Sequence, residues 1–88
     1  MTTKLGSWEP FFQPNLSSRR GKSHVYRRYP GKPVFYGVEA KWSAPNVLVA
    51  IRGFVNLNGK RIWTGPEKLY FTDAKNDALA WARNWKEN

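Results

Sequence analysis

The chain has 88 residues, the size of one small domain, which leaves too little interior for the deep cleft of a large enzyme. It carries 15 lysine and arginine residues against six acids, a net charge of +9, together with five tryptophans, four tyrosines and five phenylalanines. Such a combination of positive charge and aromatic rings favours a nucleic-acid partner. With no cysteine, the chain excludes disulfides, cysteine-ligated zinc, iron–sulfur clusters and thiol nucleophiles.

No apolar run approaches the roughly 18 residues of a membrane helix, and the first residues lack the apolar core of a signal peptide. We therefore expect a cytoplasmic, nucleoid-associated protein, or a nuclear one in a eukaryote. The single His24 has no cysteine or carboxylate cluster beside it in sequence, and the acids form no pair suited to acid–base chemistry. The sequence thus predicts a non-enzymatic protein with neither metal nor cofactor.

Residues 1–33 are predicted to form an extended basic arm. They hold seven basic residues against one acid, a charge of +6, and four of the six prolines, and they show no sustained helical or strand periodicity. Trp8, Phe11 and Phe12 are too apolar to stay in water, so part of the arm should pack on the folded body. The arm cations predicted to contact nucleic acid are Arg19, Arg20, Lys22, Arg27 and Arg28.

Residues 34–88 are predicted to form the folded domain. The stretches 34–42 and 47–57 are rich in β-branched and aromatic residues and are separated by a short loop, 43–46, so they predict a hairpin. Asn58-Gly59 is typical of a two-residue turn with positive φ at both positions, and 60–64 would be the returning strand. We therefore expect an α+β fold in which a three-stranded antiparallel meander precedes one C-terminal helix.

The helix is predicted after the break at Gly65-Pro66, with Thr72 or Asp73 as its N-cap. Small and aromatic residues recur on one helical face and should cover the apolar side of the sheet. They are Ala74, Ala78, Trp81, Ala82 and Trp85.

The two turns also predict the register of the sheet. The Asn58-Gly59 turn pairs Asn56 with Arg61, Val55 with Ile62 and Phe54 with Trp63, and the first loop pairs Trp42 with Val47. Alternation then places an apolar set on the helix side, namely Val38, Ala40, Trp42, Val47, Val49, Ile51, Val55 and Ile62. The opposite side carries the residues predicted to contact DNA, namely Lys41, Arg52, Phe54, Asn56, Arg61 and Trp63.

Four segments in order resemble the ethylene-response-factor (apetala-type) DNA-binding domain. They are Phe35-Tyr36-Gly37-Val38, Val49-Ala50-Ile51-Arg52, the stretch 59–65, and Phe71-Thr72-Asp73-Ala74 followed by Ala78-Leu79-Ala80-Trp81. The related arm-binding domains of integrases have similar sheets. The resemblance implies a sheet laid in the DNA major groove, with Arg52, Arg61 and Trp63 at contacting positions. Other contacting positions of the family differ here, at Tyr36, Glu39, Val47 and Ala50, so its sequence preference does not transfer. Glu39 facing phosphates would be repulsive unless Lys41 or Arg52 neutralises it.

The predicted function is binding of duplex DNA by the sheet, with the arm on phosphates, in a transcriptional, recombination or architectural accessory factor of a phage or other mobile element. Two alternatives remain open at this point. One is an RNA or single-strand binder that stacks bases on Phe54 and Trp63. The other is a small protein-binding inhibitor or adaptor that uses the same face. The face could also be merely solvated, or covered by the N-terminal aromatic residues.

Overall fold

The computed structural model describes residues 6–10, 12–13, 23–24, 26–44 and 47–87, which form an antiparallel sheet and one C-terminal helix. The α+β class is therefore confirmed. The strands are β1 Trp8–Pro10, β2 Phe12–Gln13, β3 Ser23–His24, β4 Tyr26–Arg28, β5 Val34–Ala44, β6 Val47–Leu57 and β7 Lys60–Thr64, and the helix α1 spans Phe71–Asn84. No helix in the described part of the chain has both the length and the apolarity to cross a membrane.

The strands β5, β6 and β7 form the predicted meander. Asn58 and Gly59 have φ values of 53° and 78°, as the two-residue turn requires. The first hairpin is tighter than predicted, because β5 and β6 extend into the expected loop and Ala44 lies opposite Val47. The predicted pairing of Trp42 with Val47 is therefore wrong. From Val34 to Lys41 the shift is two residues, and an even shift leaves each of these side chains and its β6 partner on the predicted face.

Two further strands come from the predicted arm and lie along the free edge of β5. In β1, Trp8 lies opposite Lys41, and in β4, Tyr26 lies opposite Gly37. Between them, β2 and β3 pair with each other as a separate two-stranded sheet. The sheet thus has more strands than the three expected, because short strands of low apolar content give no periodic signal but satisfy the backbone groups of an exposed edge.

The helix packs on the sheet through Ala74, Ala78 and Ala82, which are fully buried. Beneath it lies Gly53, where a Cβ atom would be 2.5 Å from the carbonyl oxygen of Ala74. Small residues on both elements therefore set the close approach. The helix begins at Phe71, and Tyr70 is its N-cap without a side-chain hydrogen bond, so the predicted Thr72 or Asp73 cap is wrong.

The helix covers only part of its side of the sheet. Val34, Val38, Ile51 and Val55 are buried there, as predicted for the last three. Val47 and Val49 were also predicted to be covered, but they are 52% and 43% exposed. Register irregularities beyond Lys41 and the distance of this hairpin end from the buried helical alanines explain the difference.

Lys32 fixes the end of the helix to the turn that precedes β5. Its Nζ donates hydrogen bonds to the carbonyl oxygens of Ala82, at 3.1 Å, Trp85, at 2.9 Å, and Arg83. These carbonyls form the negative end of the helix dipole, so an ammonium group is stabilised there. The turn itself is Tyr29-Pro30-Gly31-Lys32, with Gly31 at φ 80°.

Candidate nucleic-acid interface

The candidate site is the side of the sheet opposite the helix, which we call the open face. The register places on this side Phe35, Gly37, Glu39 and Lys41 of β5, Arg52, Phe54 and Asn56 of β6, and Arg61 of β7. The added edge strands contribute Trp8 of β1 and Tyr26 and Arg28 of β4. Five of the six DNA-contacting residues predicted on the sheet therefore share one face.

Trp63 is the exception, and the predicted pairing of Phe54 with Trp63 is wrong. Asn56 lies opposite Arg61 as predicted, but a register shift follows and Val55 lies opposite Trp63. The extra residue is Ile62, which is exposed instead of buried beneath the helix. The Trp63 ring is thereby turned to the helix side and stacks on Trp81, with centroids 5.6 Å apart and an interplanar angle of 17°.

Glu39 occupies the centre of the open face and is only 5% exposed. Arg52 donates through Nε to its Oε2 at 2.6 Å. Arg61 forms a two-pronged contact, from NH1 to Oε2 at 2.9 Å and from NH2 to Oε1 at 2.8 Å. A buried carboxylate needs such partners to remain charged in the interior. Because two guanidinium groups share one carboxylate, the cluster keeps a net charge of +1.

Aromatic rings also contact both guanidinium groups. The Arg52 guanidinium lies 3.9 Å from the ring centroid of Trp8, and that of Arg61 lies 4.3 Å from the centroid of Phe54. Lys41 also approaches Trp8, with its Nζ 5.7 Å from the centroid. Rings and guanidinium groups attract each other in this geometry. The open face is therefore a packed layer in which charged groups are fixed in position.

A second layer of contacts comes from β4. The ring of Tyr26 stacks between Phe35, at 5.3 Å, and Phe54, at 5.9 Å, and its hydroxyl accepts a hydrogen bond from Asn56 Nδ2 at 3.1 Å. Phe54 is consequently only 8% exposed. Part of the region predicted as an arm thus does cover the face, through Trp8 at one end and Tyr26 in the middle.

The remaining predicted contacts lie in the former arm. Arg28 is exposed on the open-face side of β4, and Arg27 is exposed but alternates to the helix side, opposite Tyr36. Arg19, Arg20 and Lys22 lie outside the described residues, as does Phe11.

Charge divides unequally between the two layers of the molecule. Residues 26–64, which contain β4 to β7, hold seven cations and one acid, a net charge of +6. Residues 65–87, which contain the helix, hold four of each and are neutral. Glu39 is the only acid among the residues that the register assigns to the open face, so no solvent-exposed carboxylate there opposes an anionic partner.

Sequence reasoning anticipated one part of the Glu39 cluster. A glutamate facing phosphates is repulsive unless a neighbouring cation neutralises it, and Lys41 and Arg52 were the candidates. Arg52 does so, whereas Lys41 lies against Trp8 and the second partner is Arg61. Arg61 could have been identified by counting residue pairs outward from the Asn58-Gly59 turn, which places it opposite Asn56 on the same face as Glu39.

Comparisons with protein-family models, with curated proteins and with solved structures found no match for this chain.

Proposed function

We propose that this protein binds duplex DNA through the open face. The observation that carries the proposal is the burial of Glu39 between Arg52 and Arg61, which leaves a surface of fixed cations with no exposed acid among its described residues. Because phosphate attraction supplies most nonspecific affinity, a net positive and rigid face suits a polyanion. Because the helix layer is neutral, a polyanion is attracted to the sheet side of the molecule rather than to the helix side.

The width of the sheet indicates how a duplex would lie on it. Neighbouring strands are about 4.8 Å apart, so the outer strands of four are separated by roughly 14 Å. A major groove is about 12 Å wide, which is too narrow for the whole sheet but admits its two central strands. Arg28 and Arg61 stand at opposite ends of one row across the sheet, through Phe35 and Asn56. Such a row would bring a cation to the phosphates on each side of the groove.

The same contacts favour a duplex over a single strand. Stacking of unpaired bases needs exposed ring faces. Phe54 is buried beneath Arg61 and Tyr26, and Trp63 lies against Trp81 on the other side of the sheet. The two rings that would serve as platforms are therefore both engaged within the protein.

Base contacts would come from few groups. Both terminal nitrogens of Arg61 bond to Glu39, whereas Arg52 uses only Nε and keeps two terminal nitrogens for a base or a phosphate. Lys41 is the other cation near the middle of the face. We therefore expect modest sequence preference, which suits an architectural or accessory role in transcription or recombination.

The test is fluorescence anisotropy with one sequence prepared as duplex DNA, single-stranded DNA and duplex RNA. With about five phosphate contacts, the log–log salt slope should be roughly −4, so affinity for duplex DNA falls several-hundred-fold from about 50 to about 200 mM salt. Single strands and duplex RNA should bind more weakly at every salt concentration. Tighter binding of single strands, or an affinity independent of salt, would contradict the proposal.

Matched charge deletions locate the surface. Lys41→Ala and Arg28→Ala remove cations from the open face, and Lys75→Ala and Arg83→Ala remove the same charges from the helix. Each strand variant should reduce the salt slope by about one, because one phosphate contact is lost, while the helix variants leave it unchanged. Equal effects from both pairs would mean that net charge alone, rather than the open face, determines binding.

A further inference from the structure

A second aromatic region lies on the helix side of the sheet. A groove of about 540 Å³ runs between α1 and the segment that follows β7. Three tryptophans line it, Trp63, Trp81 and Trp85, with Pro66 opposite the helix. We call this region the tryptophan groove. Its size is within the range of ligand-binding clefts.

The polar groups of the tryptophan groove are mostly hydrogen-bond acceptors. Asp77 lines it and accepts no hydrogen bond from any residue in the described ranges; its closest cation is Lys68, whose Nζ is 3.7 Å from Oδ2. Asn84 uses Nδ2 to bond the carbonyl of Ala80 at 2.9 Å, so its side-chain oxygen remains as an acceptor. Lys86 lies at the other end and is exposed. Acceptors beside aromatic rings favour a cationic ligand.

On the open face, the chain itself supplies a cation to a site made of an aromatic ring and a carboxylate. There the guanidinium of Arg52 lies between the ring of Trp8 and the carboxylate of Glu39. The tryptophan groove has the rings and the carboxylate of Asp77, but no cation from the described residues lies over its three tryptophans. Among the described residues no guanidinium contacts Asp77, whose nearest cation is Lys68 at 3.7 Å.

We propose that the tryptophan groove binds an arginine side chain of an extended segment from a partner polypeptide. The guanidinium would stack on an indole ring and donate to Asp77, and its planar fork suits this combination better than the point charge of a lysine ammonium. The groove extends roughly 10 Å along the helix from Asp77 to Asn84, which is longer than one side-chain head group and accommodates neighbouring residues of the segment. Residues 65–87 are neutral, so a cationic segment meets no net repulsion there.

The test uses the acetylated, amidated peptide Gly-Leu-Arg-Leu-Gly and its analogue with neutral citrulline in place of arginine. Indole N–H signals of the full chain, assigned by single Trp→Phe substitutions, report which tryptophans the peptide contacts. The arginine peptide should shift the signals of Trp63, Trp81 and Trp85 and leave that of Trp8 unchanged. The citrulline peptide should bind at least about tenfold more weakly, because it lacks the charge that Asp77 and the rings attract.

Two variants of the protein test the carboxylate. Asp77→Asn should lower the affinity for the arginine peptide at least about fivefold. Glu67→Gln removes an exposed acid that does not line the groove and should leave this affinity unchanged. Asn84→Asp adds a second acceptor charge at an exposed position and should strengthen binding severalfold, which keeps the test valid if Asp77→Asn destabilises the fold.

The inference is overturned if citrulline and arginine peptides bind equally, or if neither Asp77→Asn nor Asn84→Asp changes the affinity. It is also overturned if duplex DNA shifts the three groove signals, since the groove would then belong to the nucleic-acid surface. A shift of the Trp8 signal alone by DNA tests the open face separately. Failure of one proposal is therefore distinguishable from failure of the other.

Discussion

The open face and the tryptophan groove are built from the same kinds of side chain but differ in how complete they are. On the open face, Trp8 and Phe54 each hold a guanidinium group of the chain, and Glu39 bonds to both. In the tryptophan groove, Trp63 and Trp81 stack on each other and Asp77 has only Lys68 at 3.7 Å. On the open face, the rings and the carboxylate already bind cations of the chain. In the tryptophan groove, they remain available to a cation from a partner.

Burial explains the difference. Glu39 is almost wholly enclosed by neighbouring strands, where an unpaired charge would be strongly destabilising, so its partners must come from the chain. Asp77 lies on the flank of the helix with its side chain 31% exposed, where water compensates the charge in part. The open face therefore presents surplus positive charge outward, whereas the groove presents an acceptor and apolar rings. These surfaces suit partners of opposite charge.

The largest effect is expected from Gly53→Ala, which disturbs the helix side and leaves the ion pairs of the open face in place. The new Cβ would lie 2.5 Å from the carbonyl oxygen of Ala74 and 2.9 Å from the Ala78 Cβ, so the helix must move. We expect a loss of about 3 kcal/mol in the free energy of unfolding, measured by urea titration. Gly31→Ala, which meets no neighbouring atom, is the control and should lose about 1 kcal/mol because of its positive φ alone. Equal losses would show that the contact with α1 is not tight.

Glu39→Gln tests the open face and should lower stability by about 2 kcal/mol. Two guanidinium groups would lose their shared carboxylate, and the loss is below that of a fully buried pair because both arginine side chains are partly exposed. Affinity for duplex DNA should move the opposite way, since the face gains one positive charge. Thermal unfolding of the variant checks the expected loss of stability, and fluorescence anisotropy checks the expected gain in DNA affinity. The control, Glu67→Gln, should change neither; a stable Glu39 variant with unchanged DNA affinity would refute the role assigned to the carboxylate.

The parts of the fold that local chemistry determines could be predicted from the sequence. Asn58-Gly59 specifies its turn by positive φ, and the pairs nearest the turn, from Leu57 opposite Lys60 to Asn56 opposite Arg61, follow from it. The alanine spacing specifies the buried helical face. The predicted faces of most β5 and β6 residues were also correct although the predicted loop was too long, because a register error of two residues does not move a side chain to the other face.

Features that depend on long-range contacts could not be predicted in this way. The bulge at Ile62 turns Trp63 toward Trp81, and strand alternation contains no sign of it. Gly65 offers one physical reason, because a Cβ there would lie 2.6 Å from the Trp63 ring. The edge strand β1 and the position of Lys32 at the helix end likewise depend on chain segments far apart in sequence.

A smaller effect is expected from Arg52→Lys, which separates the charge of the open face from its geometry. Lysine keeps the charge but loses the planar stack on Trp8 and the short Nε bond to Glu39, so unfolding free energy should fall by about 1 kcal/mol. The salt slope of DNA binding should not change, because the number of cations is the same. Lys41→Arg, the reciprocal change at the other cation that contacts Trp8, should leave stability within about 0.5 kcal/mol. If Arg52→Lys reduced the slope instead, the arginine would act on phosphates through its geometry rather than its charge.

The smallest effect on stability should come from Ala80→Lys, which gives the tryptophan groove a cation of its own. Ala80 is exposed and lines the groove three residues after Asp77, so a lysine there can pair with that carboxylate and should stabilise the helix by about 0.3 kcal/mol. The arginine peptide should then lose its binding, because an internal cation occupies the position that Arg52 occupies on the open face. Ala80→Gln, of similar length but neutral, should bind the peptide nearly as the unchanged protein does. Retained binding in Ala80→Lys would mean that the peptide recognises the rings without the charge, and the groove would then be an apolar docking surface rather than an arginine site.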